Sequence, residues 1–274
     1  MYIYMKKKQT QKKSQTQSQS SKSKVSIVDP EFSKTLHKGT QASSHCALCE
    51  RSYHYQAYET YIHFIGKMKE IKKLTYVYVP EDFSDMVLEL DMKHELLKPL
   101  YTSESTFKKH LQDAFKNTKI TLIPIVLNLS LGKDDNHANC IVINKQTKVI
   151  ELFEPHGHRD SVSTLGGDEG GYVKKIRTLK HYWKVMIGNV GAQDPDAYKV
   201  SNVVDYVDKT AFQVLNDPED SSGYCVTWSL LYTHYRLLNP KISETDLIHY
   251  LDKKINTRML LKYARRVEEI FKQE

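Results

Sequence analysis

Apolar positions along the chain change period several times, and each change predicts an element. Tyr55, Tyr58, Ile62, Ile65, Met68 and Ile71 recur at helical spacing, which predicts an amphipathic helix within residues 51–73. TYVYV (75–79) is β-prone and stops at Pro80. Residues 83–98 read as a helix that ends before Pro99. Ser103 or Ser105 can cap a helix carrying Phe107, Leu111 and Phe115. KITLIPIVLNLSLG (119–132) is a strand too apolar to show either face to water. HANCIVINKQTKVIELFEPHG (137–157) holds two apolar runs around the polar NKQT, a hairpin pattern. GGDEGG (166–171) lacks the Gly-Lys-Ser/Thr of a phosphate loop and reads as a connection. Tyr172, Ile176, Leu179, Trp183 and Met186 then mark an amphipathic helix. VSNVVDYV (200–207) predicts a strand, and SSGYCVTWSLLYTHYRLL (221–238) runs into a helix after Gly223. Two more helices start near Ser243 and Asn256. This order predicts an α+β fold with a central mixed or antiparallel sheet flanked by helices.

Composition narrows the class. At 274 residues the chain suits one large domain or slightly more. No apolar run approaches the roughly 18 residues that a membrane span needs. MYIYMKKK puts its apolar residues before the charge, the reverse of a signal peptide. These features predict an intracellular protein, cytoplasmic or nuclear, that makes no membrane contact. In a reducing compartment Cys46, Cys49, Cys140 and Cys225 are expected as thiols, metal ligands or catalysts rather than disulfide partners.

The net charge of +7 is local. Residues 1–24 contain seven lysines and no acid, so the remaining 33 basic residues balance 33 acidic ones. Three regions result: a disordered Lys/Gln/Ser-rich tail at 1–26, a mainly helical N-terminal region at 27–118, and a core with C-terminal helices at 119–274. The tail reads as a solubilising or targeting appendage, or as a weak contact for nucleic acid or an anionic surface.

The hairpin carries candidate chemistry. A symmetric turn centred between Lys145 and Gln146 pairs His137 with Glu154, Asn139 with Leu152 and Ile141 with Ile150 on one face. Directly opposed residues have Cβ atoms about 4.5–5.5 Å apart, so the imidazole and the carboxylate can meet. The carboxylate would then fix the tautomer and support an imidazolium. Alternatively, the two form a surface pair of little consequence. Cys225 follows a Gly-bearing loop and opens a helix, where unpaired N–H groups and the helix dipole favour a thiolate. It reads either as a nucleophile for the His–Glu pair or as a small buried side chain beneath Trp228.

IPIV (123–126), His137 with its strand, FEPHG (153–157) and GYCVTWSL (223–230), in that order, resemble the adenovirus protease (adenain) and the SUMO and ubiquitin-like-protein proteases. The similarity is closest to the versions in large DNA viruses and covers about residues 119–240. It implies a papain-like cysteine protease fold and no cofactor. Cys225 would be the nucleophile, His137 the general base, Glu154 its orienter and Gln213 an oxyanion donor beside the Cys225 backbone N–H. The implied substrate is a viral precursor protein or a ubiquitin-like conjugate, and a viral member could reside in the virion. The chain departs from the family in three ways. Ala138 replaces a Trp; Gln213 lies farther before Cys225 than usual, so either NDPEDSSG is an insertion or Asn216 or the backbone alone fills its role; and the Glu154–Cys225 segment is longer than usual, which leaves Gln193 as an alternative. Two other readings of the same scaffold are an acyltransferase and an inactive scaffold or nucleic-acid-tethering protein.

Two metal readings are weaker. Cys46, Cys49, His54 and His63 supply four zinc-ligating side chains, but the histidines lie nine residues apart on a predicted helix, rather than the three to five of zinc-finger spacing. DDNH (134–137) with His156 and His158 reads better as a solvated loop and a corner.

Overall fold

The computed structural model describes residues 26–30, 46–49, 55–130, 136–155, 169–207, 212 and 224–273. Leu122–Ser130 forms the strand β3, with all but its last residue buried. Its apolar run, interrupted before its end only by Asn128, fits a central position covered on both sides. β1 (Val87–Asp91) lies parallel to it on one side and β4 (Asn136–Asn144) antiparallel on the other. β2 (Leu96–Pro99), β5 (Val149–Phe153) and β6 (Lys199–Asn202) complete a mixed sheet in the order β2-β1-β3-β4-β5-β6. The molecule is α+β, as its alternating periods predict.

The helices are α1 (Tyr55–Lys67), α2 (Lys69–Lys72), α3 (Glu104–Lys116), α4 (Glu169–Asn189), α5 (Cys225–Leu238), α6 (Glu244–Lys254) and α7 (Thr257–Gln273). Ser103 caps α3 and Ser243 caps α6, each accepting a hydrogen bond from the backbone N–H three residues on. Residues 169–171, read from sequence as connection, already belong to α4.

α5 is buried on all sides although Thr227, Ser229, Thr233, His234 and Arg236 are polar, and each of these side chains finds a partner. On its sheet side Ser229 Oγ donates to Ala138 O at 3.1 Å, and the Tyr232 ring stacks on Phe153 at 4.6 Å. Its outer side meets α1 and α7: the Tyr61 and Thr233 hydroxyls are 2.8 Å apart, and His234 meets the Tyr263 hydroxyl at 3.2 Å. A buried network ties its C-terminal turn to β5. Arg236 donates to Glu151 Oε1 through Nε (3.0 Å) and Nη2 (2.6 Å), and Tyr232 donates to Glu151 Oε2 at 2.9 Å. Burial pushes the Glu151 carboxyl up, against the pull of Arg236.

Residues 83–98 correct the helical expectation for that stretch and add strands to the region read as mainly helical. They form a short 3-10 turn, Phe83–Met86, and then the β1–β2 hairpin. Met86, Leu88, Leu90 and Met92 are all buried, a period of two written in residues that favour helices when isolated. Pairing with β3 overrides that preference. Asp91 shapes the turn by accepting from the backbone N–H groups of Lys93 and His94, and Glu95 takes φ 53°. VSNVVDYV is strand only to Asn202, then a 3-10 turn over Val203–Tyr206.

Candidate active site

β4 and β5 do form a hairpin, but two steps away from the symmetric register. Asn144 pairs with Val149, Ile143 with Ile150 and Cys140 with Phe153. The turn is a four-residue loop, Lys145 to Lys148, not two residues. Asn144 Oδ1 accepts from the N–H groups of Gln146 (3.0 Å) and Thr147 (3.2 Å), and Lys148 closes the loop at φ 56°. This Asx turn is the physical cause of the shift. A two-residue shift keeps every side chain on its face. His137 therefore meets Glu154 on the diagonal rather than directly across. His137 Nε2 donates to Glu154 Oε1 at 2.5 Å, and both side chains are buried.

The third residue arrives from α5. Cys225 is the first residue of that helix, and its side chain hydrogen-bonds the His137 ring. With Nε2 directed at Glu154, Nδ1 is the ring nitrogen left to serve the thiol. Burial works against an imidazolium here, but the charge of Glu154 and the hydrogen bonds and electrostatic pull of Glu154 and Cys225 outweigh it and push His137 up to about 10. The other free thiol, Cys140, is fully buried on the α5 side of the sheet, and burial pushes it up to about 12. Both free cysteines are buried and differ in their partners: Cys225 lies beside His137, and Cys140 lies beside Tyr61 and Thr233.

The carboxylate has a second partner that the sequence reading missed. Lys175 on α4 donates its Nζ to Glu154 Oε2, and its side chain is 0% exposed. α4 connects β5 to the parallel strand β6, so its early residues lie over the C-terminal end of β5, where Glu154 follows. Its later residues reach the other end of the sheet, where Lys180, Trp183 and Lys184 line a 420 Å³ cavity with Ile150 and Lys199. A signal for Lys175 exists in the sequence. It sits four and eight residues before Leu179 and Trp183, on the apolar stripe of an amphipathic helix, where lysine needs a partner.

Gln213 and Asn216 lie outside the described residues, as do His54, Asp134, Asp135, His156 and His158. Phe212 is described and lies against the site. Its N–H donates to Pro155 O at 3.0 Å, and its ring packs on Phe153 (5.5 Å) and Trp228 (5.0 Å). Gln193 is exposed in the turn before β6. Its neighbour Asp194 pairs with Lys148 of the hairpin loop, at the end of the sheet opposite His137. That placement removes it from the site.

Cys46 and Cys49 correct the expectation of free or zinc-bound thiols: they form a disulfide across a Cα separation of 5.2 Å. The short 3-10 turn Ala47–Cys49 brings them together and consumes both sulfurs. Among the described residues no group of three or more His, Cys, Asp or Glu is placed to hold a metal ion. Leu48, between the two cysteines, accepts a hydrogen bond from Thr227 Oγ1 and donates to Glu268 Oε1 at 3.1 Å. The disulfide turn is thereby tied to the first turn of α5. Among the described residues no helix is long and apolar enough to cross a membrane.

No family model matches the chain. An ankyrin repeat protein of Acanthamoeba polyphaga mimivirus is 26% identical over 135 residues, covering 43% of this chain. The match spans 16% of that relative's length. Among solved structures, the central domain of Lpg1148 from Legionella pneumophila superposes with a TM-score of 0.42 at 17% identity, covering 80% of this chain and 98% of that one. ChlaDub1 from Chlamydia trachomatis superposes with a TM-score of 0.43 at 11% identity, covering 86% and 94%.

Proposed function

We propose that the protein is a cysteine peptidase or isopeptidase in which Cys225 is the nucleophile, His137 the base and Glu154 the residue that orients it. The observation carrying this reading is the single imidazole bonded to both a carboxylate and a thiol at a helix N-terminus. An imidazolium with its charge sustained by Glu154 lowers the cost of a thiolate beside it, and the unpaired N–H groups of the first turn add to that.

Chemistry follows from the arrangement. The Cys225 thiolate attacks the substrate carbonyl carbon, and the electron pair of the C=O bond moves to oxygen. The backbone N–H of Cys225 is one proposed donor to that oxyanion, and Gln213, which follows Phe212 in the chain, is the second. As the tetrahedral intermediate collapses, the C–N bond breaks and His137 gives its proton to the leaving amine. The remaining thioester is hydrolysed by water, which His137 deprotonates, and the thiol is restored. Glu154 holds the ring in the required orientation through both halves.

The substrate classes that suit this chemistry are a ubiquitin-like conjugate or a precursor polypeptide. Ubiquitin and SUMO bearing a C-terminal thiol-reactive group separate them. Labelling at Cys225, with none at Cys140 and none in Cys225→Ala, is expected for a deconjugase. If neither probe labels the protein, and no precursor cleavage depends on Cys225, the enzyme reading fails.

A further inference from the structure

We infer that Lys175 is a positioning residue of this site, holding the Glu154 carboxylate charged and aimed at His137. The inference deepens the peptidase reading and rests on it. Glu154 is 1% exposed and uses both oxygens, Oε1 toward His137 and Oε2 toward Lys175 Nζ. A carboxylate so deeply buried keeps its charge only when it is paired and hydrogen-bonded. His137 cannot fill that role throughout the reaction, because it surrenders its proton to the leaving amine. At that moment Lys175 is the cation that remains on the carboxylate. Its four-carbon stem is wholly buried, so the ammonium is held in place rather than sampling solvent. With one oxygen fixed, the plane of the carboxylate is fixed, and the other oxygen keeps its direction toward Nε2.

Reactivity of Cys225 toward iodoacetamide tests this without a substrate. It is read by mass spectrometry at pH 6.5, where an ordinary thiol with pKa about 8.5 is almost wholly protonated. Lys175→Met is expected to slow alkylation of Cys225 by roughly ten- to a hundredfold, the scale of losing the orientation of a reacting group. Lys175→Arg, which keeps the cation, should restore most of the rate. In a Glu154→Gln background the Lys175→Met change should cost nothing further, because the group it acts through is gone. The double variant also replaces both buried charges, so its melting temperature should exceed that of Lys175→Met alone. Wild-type reactivity in Lys175→Met, or an equal loss in both backgrounds, overturns the inference and leaves the peptidase reading standing. If wild-type Cys225 reacts no faster than glutathione and His137→Ala changes nothing, the site reading itself falls and this inference falls with it.

Discussion

Glu154 shows how much one side chain's neighbours decide. Set at the rim of a hairpin it would be an exposed acid of little consequence. Buried between an imidazole and an ammonium, it sustains the charge on His137. That raised proton affinity has a consequence for stability. A histidine whose folded value is about 10, against about 6.5 when unfolded, binds its proton more tightly in the native state. Its contribution is therefore fully present below pH 6.5 and is lost as the pH rises toward 10. Melting temperature should fall across that window, and the slope should flatten in His137→Ala. An unchanged slope in the variant would assign the pH dependence elsewhere. Lys175 belongs at this scale too. The helical stripe of Leu179 and Trp183 runs through its position, but a partner just past β5, 21 residues earlier in the chain, was invisible to local periodicity.

At the scale of elements, α5 is the part on which the site depends, because Cys225 is its first residue. Its far end is anchored by the Arg236–Glu151 pair, and its near end by Thr227 donating to Leu48. Arg236→Met leaves a buried carboxylate without its cation, and a loss of about 3–5 kcal/mol in chemical denaturation is expected. Adding Glu151→Gln should recover part of it, and no recovery would mean that the loss comes from packing. The hairpin illustrates the opposite case, in which an element tolerates a misread detail. A turn two residues longer than the symmetric one moved every pairing, yet His137 and Glu154 stayed on one face because side-chain direction in a strand repeats every two residues. β1 and β2 were lost to the sequence reading for a related reason. Leu, Met, Glu and Lys at 86–98 suit a helix, and only the edge of β3 makes a strand preferable.

At the scale of the whole molecule, segments far apart in sequence close on α5 and its neighbours. Residues 26–30 lie on its C-terminal end. Asn239 exchanges two hydrogen bonds with Val28, and Asp29 accepts from the hydroxyls of Tyr235 and Tyr250. Removing residues 1–25 should leave thermal stability and the alkylation rate of Cys225 unchanged. Removing 1–30 should cost about 1–3 kcal/mol, the scale of losing hydrogen bonds to a charged group and leaving half-buried hydroxyls behind. Equal stability of the two truncations would show that the 26–30 segment is not part of the folded unit.

The sequence by itself determined the α+β character, the buried strand β3, the hairpin, the common face of His137 and Glu154 and the start of a helix at Cys225. Each follows from a period or a local backbone preference within some twenty residues. Only the tertiary structure decided the register of that hairpin, the strand identity of β1 and β2, the joining of Cys46 to Cys49 and the removal of Gln193 to the far end of the sheet. It alone set Lys175 against Glu154. These outcomes depend on which segments compete for the same edge, face or charge, and that competition is resolved by packing between residues that the chain itself keeps far apart.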